Sequence, residues 1–153
     1  MNKLALNNKL INFQKKILSL TQDVESRERA VIEKELQNNL DLIAIIDSFE
    51  NIFNSLDSKE KNTREESLNK SSRKAIKSFR AVYRKTTRIL EDKGVVVIQF
   101  SDNIAQPGLC KIIETRTDPE KEEGSIIEII KNGYQNGEKI IRPAEVITIA
   151  NHE

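Results

Sequence analysis

The segment NGYQNGEKIIRPAEV, residues 132–146, contains two Asn-Gly pairs four residues apart, followed by an apolar run that a proline interrupts. Asn-Gly is the strongest short signal for a type I′ turn, because both central residues of that turn take positive φ. Pro143 has no N–H to donate to a strand ladder, so the run should form two short strands that meet at an edge or bulge. The segment therefore predicts a small, compact β unit.

Glycine and proline divide the chain sharply. No glycine occurs before Gly94 and no proline before Pro107, so residues 94–153 hold all five glycines and all three prolines. A run of 93 residues without a helix breaker predicts long helices. After Gly94 the strand-like runs VVVIQF, CKIIETR and SIIEII are separated by turn residues. We therefore expect an α+β protein with a helical region at residues 1–93 and a small β domain at residues 94–153.

The first helix should begin with a heptad seam, which is typical of a coiled coil. The alternative is an ordinary amphipathic helix packed on its own domain, but a chain of this length has little else to cover such a stripe. The spacing alternates between four and three and skips only Arg27, through Leu6, Leu10, Phe13, Ile17, Leu20, Val24 and Val31. The seam therefore predicts a homodimer.

From residue 36 the apolar face widens in LQNNLDLIAIIDSFENIFNSL, as a helical bundle requires. The polar tract at residues 57–67 is expected to be a loop or frayed turn. A second amphipathic segment then runs from Leu68 and ends at Gly94 as a helix C′ residue. Two such hairpins from two chains would form a four-helix bundle, with dimerisation through Leu10, Phe13, Ile17, Leu20, Val24, Leu40, Ile43, Phe49 and Phe53.

The composition of the chain favours a soluble protein with a partner and argues against a metal site or a membrane span. With 153 residues, 37% hydrophobic and 32% charged, the chain is lean for a globular monomer, which favours a partner that supplies part of the core. One cysteine and one histidine, His152, argue against a zinc site, and we expect no metal and no cofactor. No stretch approaches the ~18 apolar residues of a membrane span, so we expect a soluble protein of a reducing compartment without a membrane partner.

An enzyme is not expected. Cys110 could act as a nucleophile, but the chain's one histidine is near its C-terminus and Lys111 would be a weak activator. There is no Gly-rich phosphate loop, and solvation explains the carboxylates of DPEKEEG. An ordinary thiol, buried or partly buried, is the preferred interpretation of Cys110.

Three motifs in register resemble the GrpE family, the nucleotide exchange factors of DnaK-type chaperones. GSIIEIIKNGYQNGEKIIRPAEVITIA resembles the family's C-terminal signature, IIDSFENIF resembles its bundle turn, and VYRKTTRILEDKGV resembles its second bundle helix and entry to the β domain. The resemblance covers roughly residues 36–150. The matching residues are Asp47, Phe49, Glu50, Gly94, Val95, Gly124, Gly133, Tyr134, Arg142, Pro143, Ala144 and Val146.

The sequence departs from the family pattern at several positions. Cys110, Lys111 and Ile112 stand in place of a His-Glu-Ala stretch, and Ser78 replaces a glycine of the second bundle helix. The family's acidic tail is absent and the stalk is shorter than usual. These changes bear on partner choice and potency rather than on the fold.

The resemblance implies a cytoplasmic homodimer whose β domain docks on the ATPase domain of a DnaK-type chaperone, opens the nucleotide cleft and so promotes ADP release. It places the contact in the β domain, where we expect it at Ile130, Tyr134, Arg142, Pro143 and Ala144. Tyr134 and Ile130 could instead belong to the domain's own core. Arg142, on an edge, is expected to contact a partner or an acidic neighbour.

A basic segment supports an alternative function. Residues 68–93 hold nine lysines and arginines against only Glu91 and Asp92. Such a stripe could bind nucleic acid or an anionic membrane face, either as a secondary activity or as the function of a divergent paralogue without exchange activity. A solvated helix face is the simpler interpretation, so we do not expect nucleic acid as the main partner.

Overall fold

The computed structural model describes residues 3–62 and 70–151. The chain divides into two compact units, Met1–Asn38 and Asn39–Glu153. Two helices, α1 (Lys3–Asn62) and α2 (Lys70–Asp92), precede six strands. This is the α+β fold that the placement of glycine and proline predicts. Among the described residues, neither helix holds a window apolar enough to cross a membrane.

Helix α1 continues through the first part of the tract predicted to be a loop. It ends at Asn62, so that prediction is wrong for residues 57–62. Lys and Glu are good helix formers, and polarity without Gly or Pro does not end a helix. Residues 63–67, and Leu68 at the predicted start of the second helix, lie outside the described residues.

In the unit Met1–Asn38 the described residues form the N-terminal part of α1, which carries the heptad seam on its surface. Each of the seven seam residues exposes more than half of its surface, Phe13 64% and Val31 65%. The hydrogen bonds of a helix satisfy its backbone, but the apolar side chains of the seam lack cover within the unit. The seam is therefore free to pack against another molecule.

The strands of the second unit form two three-stranded sheets, in the orders β1-β4-β5 and β2-β6-β3. Within the second sheet β6 is central, parallel to β2 and antiparallel to β3. Five of its six residues are buried, as expected for a central strand. The strand bounds are β1 (Val95–Val97), β2 (Cys110–Arg116), β3 (Ile126–Lys131), β4 (Tyr134–Asn136), β5 (Lys139–Arg142) and β6 (Ala144–Ile149).

Pro143 separates β5 from β6, as its missing N–H predicts. The chain leaves the first sheet at Arg142 and enters the second at Ala144. The Ala144 N–H then donates to the Leu109 carbonyl at 3.0 Å. The proline therefore stands where the chain changes sheets.

The two Asn-Gly pairs do not form the predicted type I′ turns. Neither Asn132 nor Asn136 has positive φ; in the β4–β5 hairpin only Gly137 does, at 57°, as in a type II′ turn. Gly133 is needed for a different reason, because a Cβ there would lie 2.5 Å from the Ala144 backbone nitrogen. The pair Asn136-Gly137 therefore forms a turn, whereas Gly133 of the other pair lets its backbone approach the backbone of Ala144.

The second unit has a core shared by helices and strands. Ile43, Ile46 and Leu90 from the helices pack with Val95 and Tyr134 from the first sheet. A second cluster lies in the other sheet and joins Ile126, Ala144 and Val146. Gly94, with φ 76°, ends α2 as predicted and lets the chain enter β1. The hairpin and the first sheet are therefore packed as one body.

Candidate functional site

The side chains of the family-like motifs converge on one internal cluster. We call it the polar junction, formed by Asp47, Glu50, Tyr83, Asn132 and Arg142. Two of its members come from α1, one from α2, one from the segment before β4 and one from β5. It therefore joins the helical hairpin to the first sheet.

Arg142 makes the strongest contacts of the polar junction. Its Nη1 and Nη2 both donate to the carboxylate of Asp47, the latter at 2.9 Å, and Nη2 also donates to the Asn132 carbonyl at 2.7 Å. The two side chains expose only 22% and 19% of their surface. The guanidinium also lies 5.4 Å from the centre of the Tyr134 ring. The hydrogen bond to Asp47 raises the pKa of Arg142, so the guanidinium stays ionised.

Glu50 accepts hydrogen bonds from two other elements. The Tyr83 hydroxyl donates to Oε1 at 3.0 Å, and the Asn132 amide donates to both carboxylate oxygens at 3.3 Å. Burial, followed by the hydrogen bond to Glu50, raises the pKa of Tyr83 to about 12. Burial, with the charges of Glu50 and Asp47, also raises the pKa of Tyr134 well above its usual range. Both phenols therefore stay protonated at neutral pH.

The five residues predicted to contact a chaperone are divided between this interior and the surface. Tyr134 and Ala144 are 3% and 0% exposed, so they belong to the two cores. Arg142 contacts an acidic neighbour of its own chain rather than standing free on an edge. Pro143 is exposed, and Ile130 is 45% exposed. Ile130 and Pro143 thus remain available to a partner.

Ile130 belongs to a larger apolar surface on the second sheet. We call it the isoleucine band, formed by Ile112 and Ile113 of β2 and Ile129 and Ile130 of β3. Each of the four exposes between 43% and 50% of its surface. Ile112 and Ile129 pair with the same residue of β6, Val146, from opposite sides. Ile112 and Ile129 therefore lie at one level of the sheet, on either side of Val146, which is itself buried.

Two of the three register shifts of this sheet lie within the band. The register of β2 shifts between Ile112 and Glu114, and that of β3 between Ile129 and Lys131. Ile113 and Ile130 are the residues inserted at these shifts, which leaves them outside the regular pairing. Exposed apolar surface held on two edge strands is typical of a protein interaction site.

Charged residues border the isoleucine band on both sides. Toward one end Lys111 and Lys131 pair with Glu145, and the Lys131 ammonium lies 3.7 Å from that carboxylate. Toward the other end Glu114 and Glu128 pair with Ile147. An apolar centre with a charged rim is the usual construction of a docking surface.

Of the four residues of the band, the sequence predicted only Ile130 as a contact residue. It did not predict Ile112, Ile113 or Ile129. The signal was present, because KIIE at residues 111–114 reads in reverse as EIIK at residues 128–131. Since β2 is parallel and β3 antiparallel to β6, the reversed motifs lie in the same order across the sheet. The sequence alone does not show that the two strands flank a common neighbour.

The residues predicted for dimerisation also fall into two groups. Leu10, Phe13, Ile17, Leu20 and Val24 are between 53% and 64% exposed on the first unit. Ile43, in contrast, is fully buried in the core of its own chain. Leu40, Phe49 and Phe53 are half-buried, and the two phenylalanines contact Phe79 and Tyr83 of α2. The second group therefore already packs within one chain.

The positions that depart from the family pattern lie in different surroundings, and one of them, Ile112, belongs to the isoleucine band. Cys110 is partly buried, and its thiol lies 3.5 Å from the Gln106 carbonyl. Lys111 and Ile112 are exposed on β2, and Ser78 is exposed on α2. Within residues 3–62 and 70–151 no three His, Cys, Asp or Glu side chains are grouped to hold a metal ion.

Comparison with known proteins gives a consistent result. A family model described as GrpE matches residues 2–150. A protein named Protein GrpE from Thermosynechococcus vestitus is 26% identical over 83% of this chain and 48% of its own length. Proteins of the same name from Pseudothermotoga lettingae and Methanosphaera stadtmanae are 32% and 26% identical, over 60% and 88% of this chain. The chain spans about half the length of the first two relatives, 48% and 52%.

Proposed function

Since the chain belongs to the GrpE family, we propose that it is a homodimeric nucleotide exchange factor that binds the ATPase domain of a DnaK-type chaperone. The isoleucine band is the docking surface in this proposal. The observation that carries it is the exposure of four isoleucines, 43% to 50% each, on a sheet whose remaining apolar residues are largely covered. The band, rather than the buried motif residues, offers a partner apolar area to bury.

Exchange requires no catalytic side chain. A protein that binds the open state of a nucleotide cleft more tightly than the closed state shifts the population toward the open state, and bound ADP weakens that protein's binding by the same factor. Each tenfold loss of ADP affinity needs ~1.4 kcal/mol of differential binding. Covering the exposed halves of four isoleucines provides about 4 kcal/mol, and the part of this contact that forms only with the open state sets the size of the effect.

The polar junction has a positioning role in this proposal. A docking surface can stabilise the open state of another protein only if the surface itself is rigid. The contacts from Asp47 and Glu50 to Arg142 and Asn132 fix the first sheet on the hairpin. Pro143 links that sheet directly to β6, between the strands of the band.

The test is release of a fluorescent ADP analogue from a DnaK-type chaperone of the same source. Ile113→Asp with Ile130→Asp should weaken chaperone binding about thirtyfold, because two half-exposed isoleucines account for ~2 kcal/mol. The bulge positions are chosen because they lie outside the regular pairing. Val96→Asp is the matched control, since Val96 is 43% exposed on the first sheet.

The outcomes test the exchange function and the assignment of the isoleucine band as the docking surface separately. Faster ADP release with the wild type and with Val96→Asp, but not with the double variant, supports both. Equal activity of the double variant places the contact elsewhere. No acceleration by the wild-type protein would exclude the exchange function.

A further inference from the structure

Helix α2 carries a basic face that the proposed exchange function leaves unused. All eight lysines and arginines of the helix are exposed. At 3.6 residues per turn they fall within an arc of about 140°. They are Lys70, Arg73, Lys74, Lys77, Arg80, Arg84, Lys85 and Arg88; we call this set the basic face.

Part of the charge of the basic face has no ion-pair partner among the side chains that the structure describes. Of those described ion pairs, none involves Arg73, Lys77, Arg84 or Arg88. Arg80 differs from these, since its guanidinium lies 5.3 Å from the centre of the Phe53 ring. The two acidic residues of α2 are confined to its last turn. Like charges close together on one helix face repel one another, and an anion bound there would reduce that repulsion.

We propose that the basic face binds the phosphate backbone of double-helical nucleic acid. The eight cations span about 27 Å of helix with a mean axial spacing of about 3.9 Å, which is similar to the ~3.4 Å axial spacing of phosphates along one strand of a duplex. Four of the eight are arginines, whose planar guanidinium suits phosphate oxygens. The density of positive charge along the basic face is therefore similar to the density of negative charge along one strand.

The surroundings of the basic face argue against a single strand. Proteins that bind single strands without sequence preference stack bases on aromatic side chains in a basic groove. The two aromatic residues of α2 point away from the basic face. Tyr83 packs on Phe53 and donates a hydrogen bond to Glu50, and Phe79 contacts Phe49. The face therefore offers cations without a stacking platform.

A lipid surface fits less well for a similar reason. A helix that lies in a membrane interface buries its apolar face among the acyl chains. Part of the apolar face of α2 is already packed, because Leu90 is 1% exposed in the shared core and Tyr83 is held by α1. Phe79, Val82 and Ile89 are 39% to 50% exposed on the same helix. Inserting that face into lipid would separate the hairpin.

The test is fluorescence anisotropy of a mixed-sequence DNA duplex of about 20 base pairs, roughly 70 Å long. The variant Arg73→Gln, Lys77→Gln, Arg84→Gln, Arg88→Gln removes four cations and keeps good helix formers. If these four contact phosphates, wild-type affinity falls about a hundredfold between about 50 and 200 mM salt. The variant should bind at least a hundredfold more weakly at the lower salt, with a slope shallower by 3 to 4.

A matched variant controls for net charge. Lys9→Gln, Lys15→Gln, Lys16→Gln, Lys34→Gln removes four exposed cations from α1 and should bind like the wild type. Circular dichroism should show unchanged helix content in both variants, and both should still accelerate ADP release if the exchange function holds.

Several results would overturn the proposal. They are no duplex binding at the lower salt, binding that survives the α2 substitutions, and equal loss in the α1 variant. Binding of polyglutamate or of phosphatidylserine vesicles as tightly as the duplex at the same salt would also overturn it, because the basic face would then be a general or a membrane anion site.

Discussion

Arg142 shows how one residue can satisfy a motif without facing a partner. Its place next to Pro143 indicates an exposed edge, but its guanidinium is held by Asp47 and by the Asn132 carbonyl. Asp47 is 95 residues away in the chain, so sequence spacing could not reveal the pair. The alternative of an acidic neighbour, weighed from the sequence, is the arrangement found.

Asp47 and Arg142 should be energetically coupled. In a double-mutant cycle with Asp47→Ala and Arg142→Ala, thermal unfolding should give a coupling of about 2 kcal/mol, because either single change leaves a largely covered charge without its partner. The exposed pair Lys131 and Glu145 provides the control cycle and should give about 0 to 1 kcal/mol. Equal coupling in both cycles would show that the polar junction adds nothing beyond a surface ion pair.

Arg142→Glu is consequently a poor probe of chaperone contact. The new carboxylate would face Asp47 within a partly buried site. Any loss of binding would then combine a lost contact with a disturbed junction, whereas variants in the isoleucine band avoid that ambiguity.

Tyr83 should make stability fall at high pH. Its pKa is raised from 10.0 to about 12, so the folded chain holds the phenol proton more tightly than the unfolded chain does. The resulting stability is fully present below pH 10 and is lost as pH rises toward about 12. Denaturant unfolding across that range should show a smaller decline for Tyr83→Phe than for the wild type. Identical declines would mean that Tyr83 titrates alike in both states.

The positions of the helices and of several strands could be predicted from residue type alone. The segment without glycine or proline contains α1, a helix of 60 residues. CKIIETR forms β2 as predicted. The errors came from interactions distant in sequence. Gly133 is required by the Ala144 backbone rather than by a turn, and the bulges that expose Ile113 and Ile130 depend on pairing with β6.

The heptad seam on the unit Met1–Asn38 should mediate dimerisation. Phe13→Asp with Ile17→Asp should weaken self-association about a hundredfold or more, because two side chains over 60% exposed would lose burial worth ~3 kcal/mol or more. Sedimentation equilibrium would measure the change against the 17.5 kDa chain mass.

Gln14→Asp with Gln22→Asp is the control for this experiment, since it adds two negative charges at polar positions of the same helix. A wild-type chain that remains monomeric at high concentration would remove the dimer from the proposal. Equal weakening by both variants would attribute the effect to charge.

At the scale of the whole molecule, the predicted boundary at Gly94 describes secondary structure better than packing. Helix gives way to strand there, as the distribution of glycine and proline indicates. The core nevertheless crosses that point, since Leu90 and Ile43 pack with Val95 and Tyr134. Periodicity identifies which residues are apolar but not which distant residue covers each of them.

The shared core leads to a prediction about fragments. Residues 94–153 alone should fail to form the first sheet, whereas residues 39–153 should fold. Without the hairpin, Val95 and Tyr134 lose cover worth roughly 1.5 to 3 kcal/mol each, and Arg142 loses Asp47. That sum is comparable with the 5 to 15 kcal/mol that stabilise a whole domain. Amide dispersion in NMR spectra of the two fragments would measure the difference; well-dispersed signals from Tyr134 to Arg142 in the shorter fragment would show that the β domain folds without the helices.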